Sequence, residues 1–102
     1  MTTGRVRIDV PRDLIADFCR RHCIWRLALF GSVLRDDFTP QSDVDVLVEF
    51  EAGKTPGFAF FSMQEELSRI LERRVDLNTA NDLSKYFRDE VLAEAEEMYV
   101  AA

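Results

Sequence analysis

Metal-binding side chains other than carboxylates are scarce in this sequence. Its one histidine, His22, lies between its two cysteines, Cys19 and Cys23, within a single helical turn. A structural zinc ion takes four such ligands, and the chain has no further Cys or His to complete the set, so reduced, partly buried thiols are expected. Long apolar runs are missing too. None approaches the roughly 20 residues of a membrane span, and the opening MTTGRVRIDV lacks the continuous apolar segment of a secretory signal. A cytoplasmic protein with no membrane contact is expected. Basic residues are the minority: 13 Lys and Arg against 19 Asp and Glu give a formal charge of −6. That balance argues against a protein that tracks a nucleic-acid backbone by itself and suits a neutral or basic protein partner. Internal repeats and low-complexity segments are absent.

The 102 residues are enough for one domain, 1–102, built on a single core. They leave no room for a separate substrate-binding domain, so any macromolecular specificity must come from a partner. Residues 1–9 read as a loose or weakly paired lead-in. Pro11 suits the first turn of a helix over residues 11–22, with Leu14, Ile15, Phe18 and Cys19 on its apolar stripe. A strand over 26–30 follows, then a short helix over 32–37, a Pro-containing loop over 38–42 and a strand over 43–50. Residues 51–57, EAGKTPG, form a turn leading to a helix over 58–73. Phe58, Phe60, Phe61 and Met63 exceed what one stripe can bury; either the start of this helix is buried on several sides, which we expect, or some rings face a partner. A strand over 75–78 and a helix over 83–99 complete the chain. Leu83, Phe87, Val91, Ala95 and Met98 form the stripe of that last helix, and Glu94, Glu96 and Glu97 lie near its end, as a solvated face or a docking patch for a basic partner. The whole is an α/β domain with a small mixed sheet flanked by helices, whose strand order periodicity does not determine.

The chemistry is concentrated in residues 30–48, FGSVLRDDFTPQSDVDVLV. Alternation along a strand puts Asp43, Asp45, Leu47 and Glu49 on one exposed face and Val44, Val46, Val48 and Phe50 on the other, toward the core. Two carboxylates at i and i+2 repel, and a divalent cation removes that cost; oxygen-only ligands favour magnesium. Gly31, lacking Cβ, lets backbone N–H groups approach a phosphate, Ser32 adds a hydroxyl donor and Arg35 adds charge for the same anion. Asp76, between Val75 and Leu77, supplies a third carboxylate on the face that meets Asp43 and Asp45. Asp36 and Asp37 stand outside any strand and read as a solvated loop.

Gly31-Ser32, ten residues, then Asp43-x-Asp45 resembles the signature of the DNA polymerase beta-type nucleotidyltransferases. The run Ser42-Asp43-Val44-Asp45-Val46-Leu47-Val48 and the later Arg74-Val75-Asp76-Leu77 resemble the minimal nucleotidyltransferase (MNT) proteins, antitoxin partners of HEPN toxins. The resemblance covers residues 11–99. It implies a polymerase beta-like fold, ATP as substrate, and two magnesium ions at Asp43, Asp45 and Asp76. It further implies a nucleotide held by Gly31, Ser32, Arg35 and Ser42, and transfer of AMP to a tyrosine hydroxyl of a cognate HEPN RNase toxin, with a toxin–antitoxin hetero-oligomer as a possible assembly. The alternatives are a non-catalytic antitoxin that silences its toxin by direct binding, and a small-molecule nucleotidyltransferase, which would carry an additional domain.

Overall fold

The computed structural model describes residues 6–86 and 88–101. Residues 1–5 of the expected lead-in, and Phe87 of the last expected stripe, lie outside the described residues. Four strands form one sheet in the order β3-β2-β1-β4: β1 (Ile24–Phe30), β2 (Val44–Phe50), β3 (Val75–Asn78) and β4 (Glu96–Val100). β2 is antiparallel to β1 and parallel to β3, and β1 is antiparallel to β4. The sheet is therefore mixed, as expected. Parallel strands need a crossover, and the helix α2 (Ala59–Leu71) supplies it between β2 and β3.

On one face, α2 and α1 (Arg12–Arg21) bury the main core: Ile15, Phe18 and Cys19 from α1, Met63, Leu67 and Leu71 from α2, and Val44, Val46 and Val48 from β2. Asp13 in the first turn of α1 and Arg20 and Arg21 in its last complement the helix dipole. Cys23, at φ 59, turns the chain out of α1 into β1. α2 stops at Glu72, which takes the left-handed conformation at φ 55. The Arg73 N–H then bonds the Ser68 carbonyl at 3.1 Å, satisfying an end-of-helix acceptor. In the lead-in, the Arg7 N–H bonds the Val33 carbonyl at 3.0 Å.

The opposite face is not solvated along its length, contrary to the expected exposed face. Leu47 is fully buried there with Phe30 and Leu83, covered by Val91 and Leu92 of α3 (Arg88–Glu94) and by Ala95. At the far end of the same face, Arg26 bonds Glu49 at 2.8 Å and Glu97 at 2.7 Å, one guanidinium shared between two carboxylates.

The expected helix over 83–99 is also corrected. Among the described residues of that span, helix occupies Arg88–Glu94, and Glu96–Val100 pairs with β1. Leu83, Val91 and Ala95 do share one cluster, whereas Met98 enters the main core on the other side of the sheet. The physical reason is the free edge of β1: its backbone groups would go unpaired without a neighbour, and that demand overrides the i, i+4 spacing. The expected short helix over 32–37 is a single 3-10 turn, Gly31–Leu34.

Phe58 and Phe61 are corrected as well: they are 95% and 70% exposed, while Met63 is buried and the Phe60 ring lies 6.5 Å from that of Phe50. Cys19 is a core residue whose burial pushes its thiol up to about 12, and Cys23 is half-buried; both are free. Glu66 bonds the His22 Nε2 at 3.0 Å, so the ring is held between α1 and α2. Among the described residues no helix is long and apolar enough to cross a membrane.

Candidate active site

Strand directions bring the chemistry to one end of the sheet. β1 runs toward Phe30, β2 and β3 run away from Val44 and Val75, and the register places Phe30 beside Asp45 and Asp45 beside Asp76. Parallel neighbours in register project their side chains to the same face, so Asp45 and Asp76 stand side by side. Asp43 immediately precedes β2. Its position is set by the Val44 N–H, which bonds the Arg74 carbonyl at 2.9 Å, and its Oδ1 accepts the Arg74 Nε at 2.6 Å.

Gly31 begins the turn that follows β1, with φ +78, in the region where side chains strain the backbone. A Cβ there would lie 2.3 Å from Asp45 Oδ2. Glycine is thus required twice, for the turn and for the carboxylate that fills the space beside it. Half-buried Ser32 follows, and its carbonyl accepts the Arg35 N–H at 2.9 Å, closing the turn.

Half-buried Asp45 has its carboxyl pushed up to about 6, first by desolvation, then by Asp76 and Asp43; exposed Arg35 opposes the rise. An acidic centre with two carboxylate neighbours favours anything that brings positive charge to it. The donors are all oxygens, the set that suits a hard divalent cation. They do not form a closed cage: among the described residues no three carboxylate, imidazole or thiol groups gather around one point, and Asp43 is turned onto Arg74.

Of the remaining expected site residues, Ser42 serves a local turn. Its Oγ accepts the Thr39 N–H at 3.1 Å and lies 3.1 Å from the Thr39 hydroxyl. Asp36 pairs with Arg7, and Asp36 and Asp37 are both exposed in the loop, outside the carboxylate group. Sequence reasoning missed the arginines around this end: Arg74 on Asp43, and Arg7 and Arg73 beside Arg35. The Arg73-Arg74 doublet before Val75-Asp76 was the available signal.

The nucleotidyltransferase domain model matches residues 12–97. A relative from Methanocaldococcus jannaschii, provisionally named a protein adenylyltransferase, is 33% identical over 87 residues, covering 85% of this chain and 91% of its own length. A solved structure provisionally described as a minimal nucleotidyltransferase has a TM-score of 0.68 and 36% identity, over 82% of this chain and 85% of that one. The fold is also similar, with a TM-score of 0.63 at 21% identity, to a chain in the complex of a tri-AMPylated Shewanella oneidensis HEPN toxin with its MNT antitoxin, over 88% of this chain and 70% of that one. With its Gly31-Ser32 turn beside three carboxylates, the chain belongs to the nucleotidyltransferase domain family, as one of its minimal nucleotidyltransferases.

Proposed function

We propose that this chain is an antitoxin enzyme of the cytoplasm that transfers AMP from ATP to a tyrosine hydroxyl of a HEPN-type RNase toxin and so neutralises it. The observation that carries this reading is the in-register pairing of Asp45 with Asp76 against the bare backbone of Gly31. Two bound divalent ions, magnesium being the natural choice for oxygen ligands, would be held by Asp43, Asp45 and Asp76; they would supply positive charge to the triphosphate and, at Asp76, to the attacking hydroxyl.

The chain's own residues do the rest. Gly31, Ser32 and Arg35 hold the triphosphate tail, and Ser42 shapes the loop that brings Asp43 to the site. Asp76, the more exposed of the paired carboxylates, takes the proton of the attacking hydroxyl. The hydroxyl oxygen bonds to the α-phosphorus, the α–β anhydride bond breaks and pyrophosphate leaves. Positioning and charge supply most of the rate in such a transfer. Arg74 pairs with Asp43 and fixes its carboxylate at the entrance to β2.

A second reading is silencing by occlusion, favoured by Phe58 and Phe61, two exposed rings near the start of one helix. One experiment separates the two: incubate the chain with ATP, magnesium and a HEPN-type RNase toxin, then weigh the toxin intact. Adenylate-sized increments at substoichiometric enzyme support transfer; complete protection without any increment supports occlusion.

A further inference from the structure

Asp45 stands on a strand with neighbours on both sides, whereas β3, which carries Asp76, is an edge strand with β2 alone beside it. The Val44 N–H bonds the Arg74 carbonyl, so alternation along β3 turns the backbone of Arg74 and Asp76 toward β2 and that of Val75 and Leu77 toward the free edge. Val75 and Leu77 are buried, and a backbone donor in such a place needs a partner. Two side chains of α2 provide it. The Leu77 N–H bonds Gln64 Oε1 at 2.9 Å, and the Val75 N–H bonds Ser68 Oγ at 3.1 Å. The Ser68 hydroxyl donates in turn to the Gln64 carbonyl at 2.9 Å, which leaves a lone pair aimed at Val75.

Two periods match in this clamp. Positions four apart on a helix are separated by about 6 Å along its axis, and positions two apart on a strand by about 6.6 Å. The helix runs opposite to β3, so residue 64 meets 77 and residue 68 meets 75. Met63, Leu67 and Leu71 already fasten α2 to the sheet by apolar packing. What the polar pair adds is a fixed height and rotation for β3, through the two amides that flank Asp76. A catalytic constellation tolerates errors of only about 0.5 Å or 10–20°, and a strand bonded on one side alone is free to turn by that much.

We propose that Gln64 and Ser68 are positioning residues for the transfer, holding Asp76 through the Leu77 and Val75 amides where its carboxylate meets both Asp45 and the attacking hydroxyl. They act through Asp76 and not on the nucleotide. The inference rests on the AMP transfer proposed above and concerns what aligns its third carboxylate.

Two pairs of variants test it. Ser68→Val and Ser68→Thr share a shape and differ in the hydroxyl; Gln64→Met and Gln64→Glu are similar in length and differ in the acceptor oxygen. Each is assayed by intact mass for AMP transfer to a HEPN-type RNase toxin, by calorimetry for affinity toward ATP with magnesium, and by NMR for hydrogen exchange at the Val75 and Leu77 amides. In Ser68→Val and Gln64→Met the amide that loses its acceptor is expected to exchange at least about tenfold faster. Their kcat is expected to fall at least about tenfold, while KM and calorimetric affinity for ATP stay within about twofold. Ser68→Thr and Gln64→Glu are expected to recover kcat to within about threefold of the parent. A kcat unchanged in Gln64→Met while the Leu77 amide exchanges faster overturns the proposal, leaving the clamp a service to the fold alone. Loss of ATP affinity in step with kcat, or no recovery in the variants that keep the oxygen, overturns it as well. Should Ser68→Val fail to fold, the Gln64 pair decides alone, since Gln64 is half-buried and methionine can occupy its path. A parent that transfers no adenylate overturns the transfer reading itself, whereas an active parent with unaffected variants overturns only the positioning.

Discussion

Asp45→Asn removes one charge from the centre of the site and is expected to stabilise the chain as it destroys its activity. The folded carboxyl titrates at about 6 rather than the ordinary 3.8, with desolvation the largest cause. Between those values the native chain holds a proton that the unfolded chain has released. Stability therefore falls as pH rises through the window, and the loss is complete above about 6. A shift of this size corresponds to roughly 3 kcal/mol for a fully buried group; Asp45 is only half-buried, and screening by water reduces the figure to about 1–2 kcal/mol. Asparagine keeps the shape and discards the charge, so at pH 8 without divalent cations the variant should exceed the parent by that amount, or about 5–10 °C in melting temperature. At pH 4 the gap should largely close. Urea titration in the presence of chelator, followed by the fluorescence of Trp25, the single tryptophan, measures both values. A variant less stable than the parent at pH 8, or a gap equal at pH 4 and pH 8, refutes the argument from charge.

Asp76→Asn is expected to lower turnover by at least a hundredfold while ATP affinity, measured by calorimetry, changes less than threefold, because this carboxylate serves the attacking hydroxyl rather than the triphosphate. Gly31→Ala places a methyl group where Asp45 Oδ2 lies and strains a backbone at φ +78; a loss of roughly 1–3 kcal/mol by urea titration and near-complete loss of transfer should accompany it. Glu72→Gly relieves a left-handed residue at the end of α2 and should raise stability by up to about 1 kcal/mol, read as a higher melting temperature. Phe58→Ser with Phe61→Ser should change stability by less than about 0.5 kcal/mol, since both rings are exposed, and, under the occlusion reading, should weaken capture of the proposed HEPN-type partner in a pull-down.

Local patterns carried the site into the sequence. The alternation of Val44, Val46 and Val48 with Asp45 marks a strand, glycine after an apolar run marks the turn, and Asp76 between Val75 and Leu77 repeats the logic of β2. What stayed hidden depends on residues far apart in the chain. Glu96–Val100 is a strand because β1 has an edge to fill, and nothing within those five residues announces that edge. Leu47 looked like an exposed neighbour of the carboxylates, and only α3, folded back from the end of the chain, buries it. Phe58 and Phe61 could not be told from core rings, because a helical stripe does not say how wide the groove beneath it is. The arginines that gather beside the site come from segments before α1, after β1 and after α2, which no linear spacing relates.

Because the carboxylates stand where β2 begins, the turn after its other end lies a full strand length away from them. Residues 51–55 are exposed, and Gly53 crosses the turn at φ +75 with open space around its Cβ position. Lengthening a surface loop costs little, only about 0.6 kcal/mol for each doubling. This turn is thus the natural attachment point for a cargo: a fluorophore, a tether or an inserted domain can be carried there on a solid sheet without reaching the chemistry at the opposite end.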